Sequence, residues 1–92
     1  MAEVVTRAGG RAVRLEVSWG GVCDLARVEE ALAHEGKVKA VALVHAETST
    51  GAHQPIDGLG RLCHARGALL VLDTVTSLGG VPVEVDAWEV DA

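Results

Sequence analysis

The chain has neither phenylalanine nor tyrosine, and its aromatic content rests on Trp19 and Trp88 alone. Aromatic side chains bury the most area per residue, so this shortage in 92 residues points to a segment of something larger rather than a self-sufficient core. Basic runs are missing as well. Eight lysines and arginines against thirteen acidic residues leave a net charge of −5, which excludes a surface built to displace counterions from nucleic acid. No apolar run approaches the ~20 residues of a membrane-spanning helix. Met1 is followed by Ala2-Glu3, not by the basic and apolar regions of a signal peptide. The two cysteines, Cys23 and Cys63, stand alone. That usage suits reduced thiols and a cytoplasmic location, and gives no ligand spacing for a metal.

Hydrophobic residues make up 49% and charged residues 23%, a globular rather than disordered balance. Repeats, low-complexity tracts and linkers are absent, so one small domain is the ceiling. Arg11 to Ser18 alternate apolar and polar and predict a half-buried strand, ended by Trp19-Gly20-Gly21. Asp24 is placed to cap a helix carrying Leu25, Val28, Ala31 and Leu32 on one face, with Gly36 as its left-handed stop. From Val38 to Val44 the run is nearly all apolar, as in a parallel strand covered on both faces. Pro55 suits the first turn of a second helix whose stripe is Ile56, Leu59, Leu62 and Cys63. Gly58 and Gly60 weaken that helix by up to ~1 kcal/mol each relative to alanine. After Gly67 the run Ala68-Leu69-Leu70-Val71-Leu72 ends on Asp73. The order β-α-β-α-β implies an α/β fold with a parallel sheet and right-handed crossovers. Beyond Gly80, Val81 to Val85 extend over the surface and Asp86 caps a short turn. Three strands leave two long edges, which natural domains cover or pair; the chain is expected to be a truncated piece.

Two strand ends carry the chemistry. Open α/β sheets bind ligands outside the carboxyl ends of their strands. There Asp73 opens Thr74-Val75-Thr76-Ser77-Leu78-Gly79-Gly80, and Val44 opens His45-Ala46-Glu47-Thr48-Ser49-Thr50-Gly51. A carboxylate at such a tip can pair with a protonated ring nitrogen, a metal or a ribose hydroxyl, or simply hold a turn. The hydroxyl-rich loop can hold a phosphate or a phenolic oxygen, or be an ordinary loop; it lacks the spacing and lysine of a Walker A motif. His45 and His53 flank it. His34 and His64 fit the C-terminal ends of helices, where the dipole favours histidine.

In their order and content, Thr48-Ser49-Thr50-Gly51, Gln54-Pro55-Ile56-Asp57-Gly58, Leu62-Cys63-His64, Leu70-Val71-Leu72-Asp73 and Ser77-Leu78-Gly79-Gly80 resemble the class V aminotransferases. The nearest branch is that of the alanine-glyoxylate and serine-pyruvate enzymes. Trp19-Gly20 agrees, and the likeness runs from about Val13 to Asp91. The resemblance implies a partial parallel-sheet βαβαβ segment of the fold-type I large domain, with residues 1–92 truncated at both ends. It implies pyridoxal 5′-phosphate as cofactor, with Asp73 on the pyridine nitrogen, Val75 under the ring face, Thr48 near the phenolic oxygen and Ser49 on the same rim. The complete enzyme would be a homodimer moving an amino group from a small amino acid to a 2-oxo acid. The Schiff-base lysine is expected beyond Asp91, since Lys37 and Lys39 begin a strand rather than end one. A cysteine desulfurase or other class V lyase is the rival within the fold. A small flavodoxin-like binding module is the rival outside it.

Overall fold

A computed structural model describes residues 1–92. Its elements are α1 (Ala2–Arg7), α2 (Leu25–Glu35), β1 (Ala40–Val44), α3 (Leu59–Ala65) and β2 (Leu69–Asp73). Helix α2 forms where capping and periodicity agree. The Asp24 carboxylate accepts the Ala26 amide at 3.0 Å, satisfying one of the donors that a helix start leaves orphaned. Gly36, at φ 73°, donates to the Leu32 carbonyl and ends the helix. Val28 and Leu32 are buried, with Leu25 packed beside them.

β1 and β2 are parallel, paired Ala40 with Leu69 through Val44 with Asp73. Helix α3 makes the crossover, as a parallel pair requires. Val41, Leu43, Leu70 and Leu72 face the core shared with both helices. On the other face Ala40, Ala42 and Leu69 are exposed, although the sequence predicted cover on both sides. The free edge of β2 is taken by the last residues: Asp91 donates to the Leu70 carbonyl at 2.9 Å, and Leu72 donates to the Ala92 carbonyl at 2.8 Å. β2 is therefore the central element.

The α/β class stands, but the first of the three expected strands does not form. The sheet has two strands, and Arg11 to Ser18 pair with neither. Alternation describes a side-chain pattern, whereas a strand exists through a neighbour's hydrogen bonds. Here Val13, Leu15 and Val17 are 49%, 37% and 40% exposed, with the segment tethered by Arg27 to the Glu16 carbonyl at 2.9 Å. Helix α3 begins at Leu59, not at Pro55. Gly58 precedes it in the left-handed region, at φ 80°, a conformation that a helical residue cannot hold. Ile56 still reaches the core from outside the helix. Gly60 permits a close approach: a Cβ there would stand 2.1 Å from the Trp88 carbonyl oxygen. The turn after Asp86 is present, closed by Trp88 donating to Glu84 and Val90 donating to Val85, both at 2.9 Å. Helix α1, which no sequence signal announced, buries none of its residues.

Candidate active site

Because Val44 pairs with Asp73, both polar loops leave the same end of the sheet. They are tied together there. The Asp73 carbonyl accepts the His45 amide at 2.9 Å, and the Thr76 hydroxyl donates to the Ala46 carbonyl. The Asp73 side chain is exposed, and its Oδ1 accepts the Val75 amide at 3.0 Å. That is a local turn of the kind aspartate favours, and it occupies one oxygen only. The other makes no hydrogen bond or ion pair within the chain. Val75 presents a bare apolar face, 87% exposed, beside it.

The loop after β1 is closed by Glu47 donating to the Ala52 carbonyl at 2.9 Å and Gly51 donating to the Glu47 carbonyl at 2.8 Å. The Glu47 carboxylate accepts both the amide and the hydroxyl of Ser49, at 3.1 and 3.0 Å. Thr48 is exposed. Ser49 and Thr50 line a cleft of about 310 Å³ together with Trp19, Gly20, Glu47 and Gln54. Of the four residues singled out for the cofactor, Ser49 alone lines that cleft; Asp73, Val75 and Thr48 lie outside it. Asp73 and Val75 share one turn, and Thr48 and Ser49 the neighbouring loop.

Two further groups organise this end of the sheet, and neither was assigned a role by sequence. Gln54 is buried, and its side-chain amide grips the Cys23 peptide from both sides. Its Oε1 accepts the Cys23 amide at 2.7 Å, and its Nε2 donates to the Cys23 carbonyl at 2.9 Å. The segment leading into α2 is thereby fixed to the loop. The second group centres on His45, only 2% exposed. Its Nδ1 lies 2.9 Å from Ser77 Oγ, its Nε2 lies 2.9 Å from His53 Nε2, and Trp88 meets its ring edge-on at 5.3 Å. Burial, then the neighbouring His53 charge, holds the His45 pKa below the usual 6.5. Its residue type and its place after an apolar strand were visible in the sequence; its partners were not.

A planar phosphorylated pyridine asks for an anionic oxygen at ring-nitrogen height, an apolar surface for its face and donors for its oxygens. The free oxygen of Asp73, the bare side chain of Val75 and the exposed hydroxyl of Thr48 supply those types at one end of one sheet. Lys37 and Lys39 stand at the opposite end, before β1 begins. Five residues at ~3.3 Å each put Lys39 roughly 16 Å from the tip along the strand.

Known proteins resemble this chain along nearly its whole length. Alanine–glyoxylate aminotransferase of Mus musculus is 44% identical over 90 residues, covering 98% of this chain and 22% of its own length. (S)-Ureidoglycine–glyoxylate transaminase of Bacillus subtilis is 38% identical over 92 residues, covering 100% and 22%. The crystal structure of an alanine–glyoxylate aminotransferase from Nostoc sp. superposes with a TM-score of 0.93 at 48% identity, over 98% of this chain and 24% of that one. The chain thus spans between a fifth and a quarter of the curated relatives it matches. The model of the class V aminotransferases matches residues 1–92 from end to end, and with these relatives beside it the chain belongs to that family.

Proposed function

We propose that this chain forms one wall of the pyridoxal 5′-phosphate pocket of an aminotransferase of the alanine-glyoxylate or serine-pyruvate type, as part of that enzyme's large domain. The complete enzyme moves an amino group from a small amino acid to a 2-oxo acid, and we place it in the cytoplasm as a homodimer. When bound, the cofactor supplies an electron-withdrawing pyridinium ring. The free oxygen of Asp73 accepts a hydrogen bond from the protonated ring nitrogen, because an ionised carboxylate beside that nitrogen favours its cationic form. Val75 offers its exposed methyl groups to the ring face. Thr48 donates to the phenolic oxygen, and Ser49, held by Glu47, shapes the rim.

The observation that carries this reading is the Asp73 turn: one carboxylate oxygen is used locally while the other is left free at a strand tip. No lysine of the chain stands at that tip, so the 92 residues by themselves are predicted to be inactive. The test is Asp73→Ala in the full-length protein. Loss of a charge-assisted hydrogen bond worth ~2–3 kcal/mol should cut kcat/KM for alanine and glyoxylate by about 100-fold, while Asp73→Glu recovers part of it. Wild-type turnover in Asp73→Ala would remove the assignment.

A further inference from the structure

We propose that His45 is a positioning residue for Asp73, holding the turn from Asp73 to Ser77 in place through the Ser77 hydroxyl. The inference rests on the reading of Asp73 given above and adds a residue to it. Ser77 is 1% exposed. Its hydroxyl lies 3.4 Å from the Thr74 carbonyl and 2.9 Å from His45 Nδ1, and in the arrangement proposed it donates to the carbonyl and accepts from His45 Nδ1–H. A neutral His45 then has a lone pair at Nε2, which accepts from His53 Nε2–H. Every proton has a place in this chain of bonds: His53 to His45, His45 to Ser77, Ser77 to Thr74. The histidine also donates its backbone amide to the Asp73 carbonyl at 2.9 Å. One residue thus fixes both ends of the turn that carries the carboxylate.

The surroundings keep the ring neutral. Trp88 covers one edge, His53 is the facing titratable group, and Asp57 is the charged residue lining the adjoining cavity of about 260 Å³. A buried imidazole with two partners has no spare rotamer, so its bond to Ser77 is kept without competing water.

Two variants separate the two ring nitrogens. An asparagine amide at position 45 stands near where Nδ1 was, and a glutamine amide near where Nε2 was. In the full-length protein, His45→Gln should raise the pyridoxal 5′-phosphate dissociation constant about 10-fold, the worth of one hydrogen bond, while His45→Asn stays within about 3-fold. Ser77→Ala should match His45→Gln and serves if the His45 variants fail to fold. A cofactor-free readout accompanies these. Histidine 15N spectra should show His45 as the neutral Nδ1–H tautomer, and exchange of the Val75 amide should quicken about 10-fold in His45→Gln but not in His45→Asn. An Nε2–H or charged His45 at neutral pH, equal effects of both substitutions, or an unaffected Ser77→Ala would each overturn the proposal. If Asp73→Asn leaves cofactor affinity untouched, the parent reading fails instead, and the Val75 exchange still decides whether His45 holds the turn.

Discussion

Gly60→Ala tests whether the close contact between α3 and the C-terminal turn organises this end of the protein. In an unobstructed helix the exchange would stabilise by up to ~1 kcal/mol through helix propensity. Here the new Cβ would sit 2.1 Å from the Trp88 carbonyl oxygen and 2.7 Å from that of Glu89. Both atoms are backbone, so relief requires the Trp88–Glu89 turn to retreat by about 1 Å or more before van der Waals contact is restored. Overpacking of this kind costs ~1–3 kcal/mol; taking about 2.5 and subtracting about 1 for propensity leaves ~1.5 kcal/mol of net destabilisation. The loss should be local first. Trp88 would lose its contact with His45, and the pairing of Asp91 and Ala92 with β2 would open more often. Hydrogen exchange followed by mass spectrometry reads this directly: peptides covering Trp88 to Ala92 should exchange about 10-fold faster, since ~1.4 kcal/mol is a factor of ten. A higher melting temperature with unchanged protection in those peptides would show that the contact does not constrain the helix, and the reasoning would fall.

Substituting Gln54 should detach the segment before α2. Gln54→Leu keeps volume but leaves the half-buried Cys23 amide and carbonyl without their protein partners, at ~1–3 kcal/mol for two groups that water partly reaches; denaturant unfolding measures it, and a change below ~0.5 kcal/mol would contradict the clamp. His64 and Asp91 make the pH prediction. Their 2.8 Å contact raises the His64 pKa above 6.5, with the Asp91 hydrogen bond as its main cause. It lowers that of Asp91 below 3.8, chiefly through His64 and then through the Leu70 amide. The His64 contribution is complete below 6.5 and fades as pH rises through its folded value. The Asp91 contribution is present above 3.8 and fades as pH falls through its own. Protection of the Leu70 amide should therefore peak between those limits, and His64→Gln should flatten its alkaline side; a profile unaltered by that substitution would show the pair is inert.

What could be read in advance was whatever is decided locally. Asp24 and Gly36 bound α2 as predicted because capping is settled between residues a turn apart. Leu69 to Asp73 and the apolar run ending at Val44 could be read because strands buried on a core face advertise their composition. Arg11 to Ser18 misled because the same alternation serves a strand and an unpaired segment whose valines lie open. Gly58 and Gly60 were read as weak points of a helix. One is the left-handed entry to it, and the other is the hollow that admits Trp88, a neighbour 28 residues away in the sequence. At the candidate site, Asp73 shows that the two readings of a strand-tip aspartate are compatible: it holds a turn with one oxygen and leaves the other unused. Gln54 and His45 stayed silent because their meaning lies in partners 31 and 32 positions distant, which no periodicity encodes.

The pairing of Val44 with Asp73 has a consequence for how this wall can vary. Side chains along β2 alternate, so Asp73 shares its side with Leu69 and Val71 while Leu70 and Leu72 point inward. Sliding β2 by a single position would swap the two sets, pushing the carboxylate into an oily interior and the leucines into water. The direction of that carboxylate is thus guarded by greasy neighbours on the opposite side, and a mutation deep among them can turn the acid aside without touching it.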